Sequence, residues 1–162
     1  MRKAIVLLGF LCCIAGFSCS KMCCAPPVVN GIEATKNGAD WRAFNAKGDI
    51  KLDTLIIADT TVVPEHSEAL KFILKFNGTG DYTLTADNIA YGYVLQMDNP
   101  YVHYTLDSSY SNSFSVMYYD SPAGFVSGTF NIKLNKDAAN TDTRYPATVT
   151  FLNGSFNIHL SK

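Results

Sequence analysis

The sequence predicts an all-β fold, an antiparallel β-sandwich or barrel of about ten strands behind a signal peptide and a flexible tether. Three observations carry that expectation. Short runs alternate apolar and polar residues from Trp41 onward, glycine- and asparagine-rich turns separate them, and an uncharged apolar run follows two basic residues at the start. The 162 residues are 48% hydrophobic and 17% charged, which suits one globular domain. Lys and Arg number 13 against 14 Asp and Glu, so no excess positive field invites a nucleic-acid partner.

The first element is the leader. Arg2 and Lys3 precede the uncharged stretch Ala4 to Phe17, the basic and apolar regions of an export signal. At about 1.5 Å per residue that stretch covers roughly 21 Å, short of a hydrocarbon core of roughly 30 Å, so it does not read as a transmembrane helix. Gly16-Phe17-Ser18-Cys19 resembles a bacterial lipobox, with Gly16 where leucine is usual. The resemblance implies a diacylglyceryl group on the Cys19 thiol, cleavage after Ser18 and acylation of the new amino terminus. Several acyl chains matter because each buried CH₂ contributes about 0.8 kcal/mol and a single chain holds only marginally. A plain secretory signal cut near Ser18 is the alternative.

All five cysteines, Cys12, Cys13, Cys19, Cys23 and Cys24, lie before residue 25, so the body holds no internal disulfide. Cys23 and Cys24 are adjacent rather than spaced as zinc ligands, and His66, His103 and His159 are scattered, so no metal or other cofactor is expected. The divisions expected are a signal peptide over 1–18, a lipidated tether over 19–40 and a β-domain over 41–162. Pro26-Pro27, Asn30-Gly31 and Asn37-Gly38, without a sustained apolar period, give the tether its unfolded reading.

Within the body, strands are expected at Trp41 to Ala46, Asp49 to Ala58, Leu70 to Phe76, Asp81 to Thr85, Tyr91 to Met97, Tyr101 to Asp107 and Phe114 to Asp120. Val63 to Ala69 reads as a helical turn. A three-residue loop, Gly78-Thr79-Gly80, would pair Phe76 with Tyr82 and Leu74 with Leu84. Asn153-Gly154 reads as a type I′ hairpin turn, because both residues tolerate positive φ; Phe151 would then face Phe156 and Val149 face Ile158. Ser127-Gly128-Thr129-Phe130 echoes Asn153-Gly154-Ser155-Phe156, read as two similar strands with the aromatic residues toward the core.

The tether, Trp41-Arg42-Ala43, Gly78-Thr79-Gly80-Asp81-Tyr82-Thr83-Leu84, Val126-Ser127-Gly128-Thr129-Phe130 and Asn153-Gly154-Ser155-Phe156-Asn157-Ile158, in that order, resemble small uncharacterised envelope lipoproteins of Bacteroidota. The resemblance spans roughly residues 15 to 160. It implies an all-β domain held at the outer membrane by its lipid, on the periplasmic or the outward face, and it transfers no catalytic residue.

Catalytic motifs are missing from the sequence: it contains no GxSxG elbow, HExxH or P-loop. Glu65 and Glu68 read as a solvated turn rather than a glycosidase pair, and His159 as a solvated histidine. The expected function is a non-enzymatic membrane-anchored module that binds an envelope protein. The alternative is carbohydrate or small-ligand binding through surface tyrosines, for which Tyr101 and His103, sharing one strand face, are the candidate residues. On the same strand Tyr104 is expected in the core, and Trp41 serves either as core or as a lid.

Overall fold

The computed structural model describes residues 30–63, 66–94 and 102–161. The expected signal peptide, Cys19 and Tyr101 lie outside the described residues. Among the described residues eleven strands form one antiparallel sheet that curls into a half-barrel: β1 (Gly31–Lys36), β2 (Ala39–Ala43), β3 (Lys47–Lys51), β4 (Thr54–Val63), β5 (His66–Lys75), β6 (Gly80–Tyr82), β7 (Ile89–Val94), β8 (Val102–Leu106), β9 (Ser113–Asp120), β10 (Phe125–Lys136) and β11 (Thr148–His159). The all-β expectation therefore holds. Among the described residues the helical content is a single 3-10 turn, Ala86–Asn88, and no helix is long and apolar enough to cross a membrane.

The strands run in the order β2-β1-β11-β10-β8-β7-β5-β4-β3, with β6 paired to β9 and β9 to β10. β10 is long enough for two neighbours on one edge. Its first half pairs with β9, from Phe125↔Asp120 to Asn131↔Ser113, and its last residues pair with β8 at Leu134↔Leu106. The sheet thus forks at β10. Alternate residues of every long strand point into the curl, which buries Leu55, Ile57, Leu70, Phe72, Tyr91, Phe114, Phe130, Phe151 and Phe156. Phe72 meets both Phe114 and Phe130 with ring centroids 5.0 Å apart, so β5 packs directly across the curl against β9 and β10.

Folded structure starts earlier than the sequence suggests. The part of the expected tether from Gly31 onward is strand: β1 pairs with β11 on one side and β2 on the other, and Ile32 is fully buried. The Asn37-Gly38 pair makes the β1–β2 hairpin, with φ of 49° and 86°, the positive values a type I′ turn requires. Asp49 to Ala58, expected as one strand, is instead the β3–β4 hairpin. Its turn is Leu52-Asp53, with φ of 49° and 59°. Val63 to Ala69 is not a helical turn, because Val63↔His66 and Val62↔Ser67 continue the β4–β5 ladder.

Two expected hairpins do not form. β5 is occupied on both edges, by β4 and β7, so the chain after Gly78-Thr79-Gly80 crosses the fold and β6 pairs with β9. Phe76 and Tyr82 nevertheless stack, at 6.5 Å and 8° between planes. β11 likewise runs straight through Asn153-Gly154 because it too has two partners, β1 and β10. The ladder shifts register there: Phe130 faces Gly154, whereas Ile132 faces Phe151. That bulge inserts one residue and reverses the inside-outside alternation, so Val149 and Phe151 before it and Phe156 and Ile158 after it all face inward. A two-residue turn would produce the same change of parity, which is why the pattern reads as a hairpin.

Candidate functional site

Two groupings of polar side chains stand out. The first lies inside the curl. Alternation along β5 places Glu68 on the same face as Leu70, Phe72 and Leu74, and alternation along β1 places Lys36 with Ile32 and Ala34. The two meet as an ion pair, Lys36 Nζ to Glu68 Oε1 at 2.5 Å, with both side chains largely removed from solvent. The other carboxylate oxygen, Oε2, accepts hydrogen bonds from Trp41 Nε1 at 3.0 Å and from the Tyr91 hydroxyl at 3.2 Å. The Lys36 ammonium also stands 5.0 Å from the Tyr93 ring centre and 5.7 Å from that of Tyr91. Burial first, and the neighbouring Glu68 charge second, push the Tyr91 hydroxyl far above its ordinary range.

Glu68 is therefore not part of a solvated turn; it is 7% exposed. Trp41 is core rather than lid, buried and edge-on to Phe151 at 5.1 Å. A buried carboxylate is tolerated here because a cation and two neutral donors saturate its oxygens.

The second grouping is an open cleft of about 680 Å³, walled by residues 81–86 on one side and by 106, 108 and 110–115 on the other. It exists because the sheet forks: β8 and β9 take different halves of the β10 edge, and the Asp107–Asn112 connection must loop outward between them. That loop is stapled. The Asp107 carboxylate accepts the Ser109 hydroxyl at 2.6 Å and Ser109 N–H at 3.0 Å, and pairs with Lys133 Nζ at 3.0 Å. The Asn112 amide donates to the carbonyls of Asp107 and Tyr110 and accepts Lys133 N–H at 2.9 Å. Those contacts, the Ser109 hydroxyl first and Lys133 second, hold the Asp107 carboxyl down at about 2.

The loop holds Tyr110 at the rim of the cleft, 36% exposed, with the Lys133 ammonium 6.0 Å from its ring centre. Opposite, the Asp81 carboxylate accepts a hydrogen bond from the Ser115 hydroxyl and joins β6 to β9. The Tyr82 hydroxyl is spent on Gly78 O and Asn77 N–H.

Tyr91, Tyr93 and Tyr104 are core, as expected for Tyr104, whose hydroxyl donates to Pro146 O at 2.7 Å. His103 is exposed on β8, its carbonyl accepting Asp137 N–H, and it does not line the cleft. His159 is exposed, edge-on to Phe125 at 5.3 Å. The outer face of β9 carries Met117 and Tyr118, 69% and 51% exposed, with Tyr118 6.0 Å from Phe125.

Among the described residues no group of three or more His, Cys, Asp or Glu side chains comes together as a metal site. The cleft was not legible in the sequence, because its walls come from separate segments that only the folded sheet brings together; the one local signal is the serine-rich run Ser108 to Ser115 around Tyr110. Compared with protein-family models, curated proteins and solved structures, the chain matches none.

Proposed function

We propose that the chain is a lipid-anchored protein of the bacterial cell envelope, in the outer membrane, whose β-domain works by binding a companion protein rather than by catalysis. The run Gly16-Phe17-Ser18-Cys19 after a basic and apolar leader supports the anchor. With β1 starting at Gly31, the ten residues 20–29 could reach at most roughly 35 Å from a lipid on Cys19, so the domain works close to the bilayer surface.

The observation that carries the binding half of the reading is the outer face of β9. Met117 and Tyr118 stand in solvent, Tyr118 beside Phe125, while the inward-facing Glu68 is saturated by Lys36, Trp41 and Tyr91. Exposed methionine and aromatic side chains are enriched in the centres of protein interfaces. The test is fractionation and capture from the protein's own cells. Wild type is expected with the membranes and Cys19→Ala in the soluble fraction, with a companion protein captured by wild type and lost with Met117→Asp/Tyr118→Asp. Cys19→Ala remaining membrane-bound would reject the anchor, and unchanged capture by the double variant would reject the β9 face.

A second reading, binding of a carbohydrate or another small ligand through a surface tyrosine, is favoured by Tyr110 at the rim of the cleft. Of the residues first considered for it, His103 stands apart from that cleft.

A further inference from the structure

We propose that the cleft between residues 81–86 and 106–115 binds a neutral saccharide, with the Tyr110 ring as its stacking platform. The inference rests on the small-ligand reading above and assigns it a location and a ligand class. It does not depend on the lipid anchor.

Four features point to this chemistry. The volume, about 680 Å³, falls within the range of small-molecule sites. Thr83, Thr85, Ser108, Ser111 and Ser113 are among the lining residues, and hydroxyls both donate and accept, as a polyol requires of its host; those of Thr85 and Ser113 are already shared with Asn88 and Asn131. Beside them stand Leu84 and Leu106, both only partly buried, so the lining mixes apolar surface with hydroxyls, as the C–H faces and hydroxyl edges of a sugar ring do. No lysine, arginine or histidine is among the described residues lining the cleft, the Lys133 ammonium behind the Tyr110 rim is already paired with Asp107, and Asp81 adds a negative charge, so a phosphate or uronate finds no uncommitted cation in the lining.

The rim is also built in advance. Tyr110 sits on a loop whose turn is fixed by the Asp107 carboxylate, the Asn112 amide and Lys133, so little ordering accompanies binding. A peptide ligand is less well served. β-strand addition needs a run of free main-chain donors and acceptors, whereas β6 is only three residues long.

The test uses the purified full chain on an array of neutral and acidic oligosaccharides, followed by calorimetric titration with the best-retained neutral glycan. The expected result is retention of neutral glycans, with affinity lowered at least tenfold by Tyr110→Ala, largely kept by Tyr110→Phe, abolished by Ser108→Trp, which fills the cleft, and unchanged by Tyr118→Ala. Far-ultraviolet circular dichroism confirms that each variant is folded. Neutral glycans bound equally well by Tyr110→Ala and Ser108→Trp would overturn the cleft while leaving carbohydrate binding standing. Retention of acidic glycans alone would overturn the neutral class. No glycan retained by the wild type, or a peptide competing through the same residues, would overturn the inference altogether.

Discussion

Phe130 lies flat against Gly154 across the β10–β11 ladder: a Cβ added at Gly154 would stand 2.5 Å from the Cζ of that ring. The relationship is reciprocal. Gly128 faces Phe156, and its added Cβ would meet that ring at 2.5 Å and the carbonyl oxygen of Ser115 at 2.0 Å. The echoed Gly-x-Phe segments thus face one another antiparallel, each aromatic ring occupying the space that the opposite glycine leaves.

Substitutions here are expected to act by overpacking. Gly154→Ala should destabilise the domain by about 1–3 kcal/mol, because the buried ring has to move. Gly128→Ala should cost more, since backbone of a third strand also blocks the added carbon. Urea unfolding measures both; an alanine tolerated at either position would mean that the strands are not this close.

The Lys36–Glu68 pair makes a second case. Lys36→Met leaves a buried carboxylate without its cation, and loss of one partner from such a pair costs about 3–5 kcal/mol. Trp41 is the chain's single tryptophan and is bound to the same carboxylate, so its emission reports on the cluster directly. The expected outcome is a lower unfolding midpoint with altered Trp41 emission in the folded state. Wild-type emission and stability in Lys36→Met would contradict a buried pair.

Acid should expose the Asp107 staple. The carboxyl is held at about 2 in the folded chain, against an ordinary value of about 3.9 when unfolded. A depressed folded value means that this contribution is present in full above the ordinary carboxylate range and is lost as the pH falls toward 2. Asp107→Asn should therefore show a shallower fall in melting temperature between pH 5 and pH 2. An acid limb identical to wild type would show that Asp107 is not linked to folding.

At the β3–β4 turn, Leu52 adopts φ of 49° while 99% exposed, so it carries left-handed strain with no packing in return. Leu52→Gly should stabilise the domain by about 1 kcal/mol, the usual cost of that backbone region for a side chain with a Cβ. Thermal unfolding checks it, and a destabilised variant would show that the Leu52 side chain has a partner.

Much of the fold was legible because alternation is local. Tyr104 was assignable to the core from its neighbours on β8, and Asn37-Gly38 carried the chemistry of a tight turn even though it was read as tether. Identical residues at Asn153-Gly154 make a bulge instead. What separates the two is whether the strand edges on either side are already taken, and that is a property of the assembled sheet. Glu68 was misread for a different reason: weighed beside Glu65, it looked like part of a polar turn. Continuing the 74, 72, 70 alternation by one step puts it inward, opposite Lys36 from a strand 32 residues away. The cleft depends on the fork at β10, which no local pattern encodes.

The proposal that an acyl anchor on Cys19 holds this half-barrel at the envelope is tested most directly by mass spectrometry of the amino-terminal peptide from protein purified from its own cells. The account predicts a chain beginning at Cys19 with a diacylglyceryl thioether and an acylated amino group. A free Cys19 thiol, or residues of the leader still attached, would contradict it.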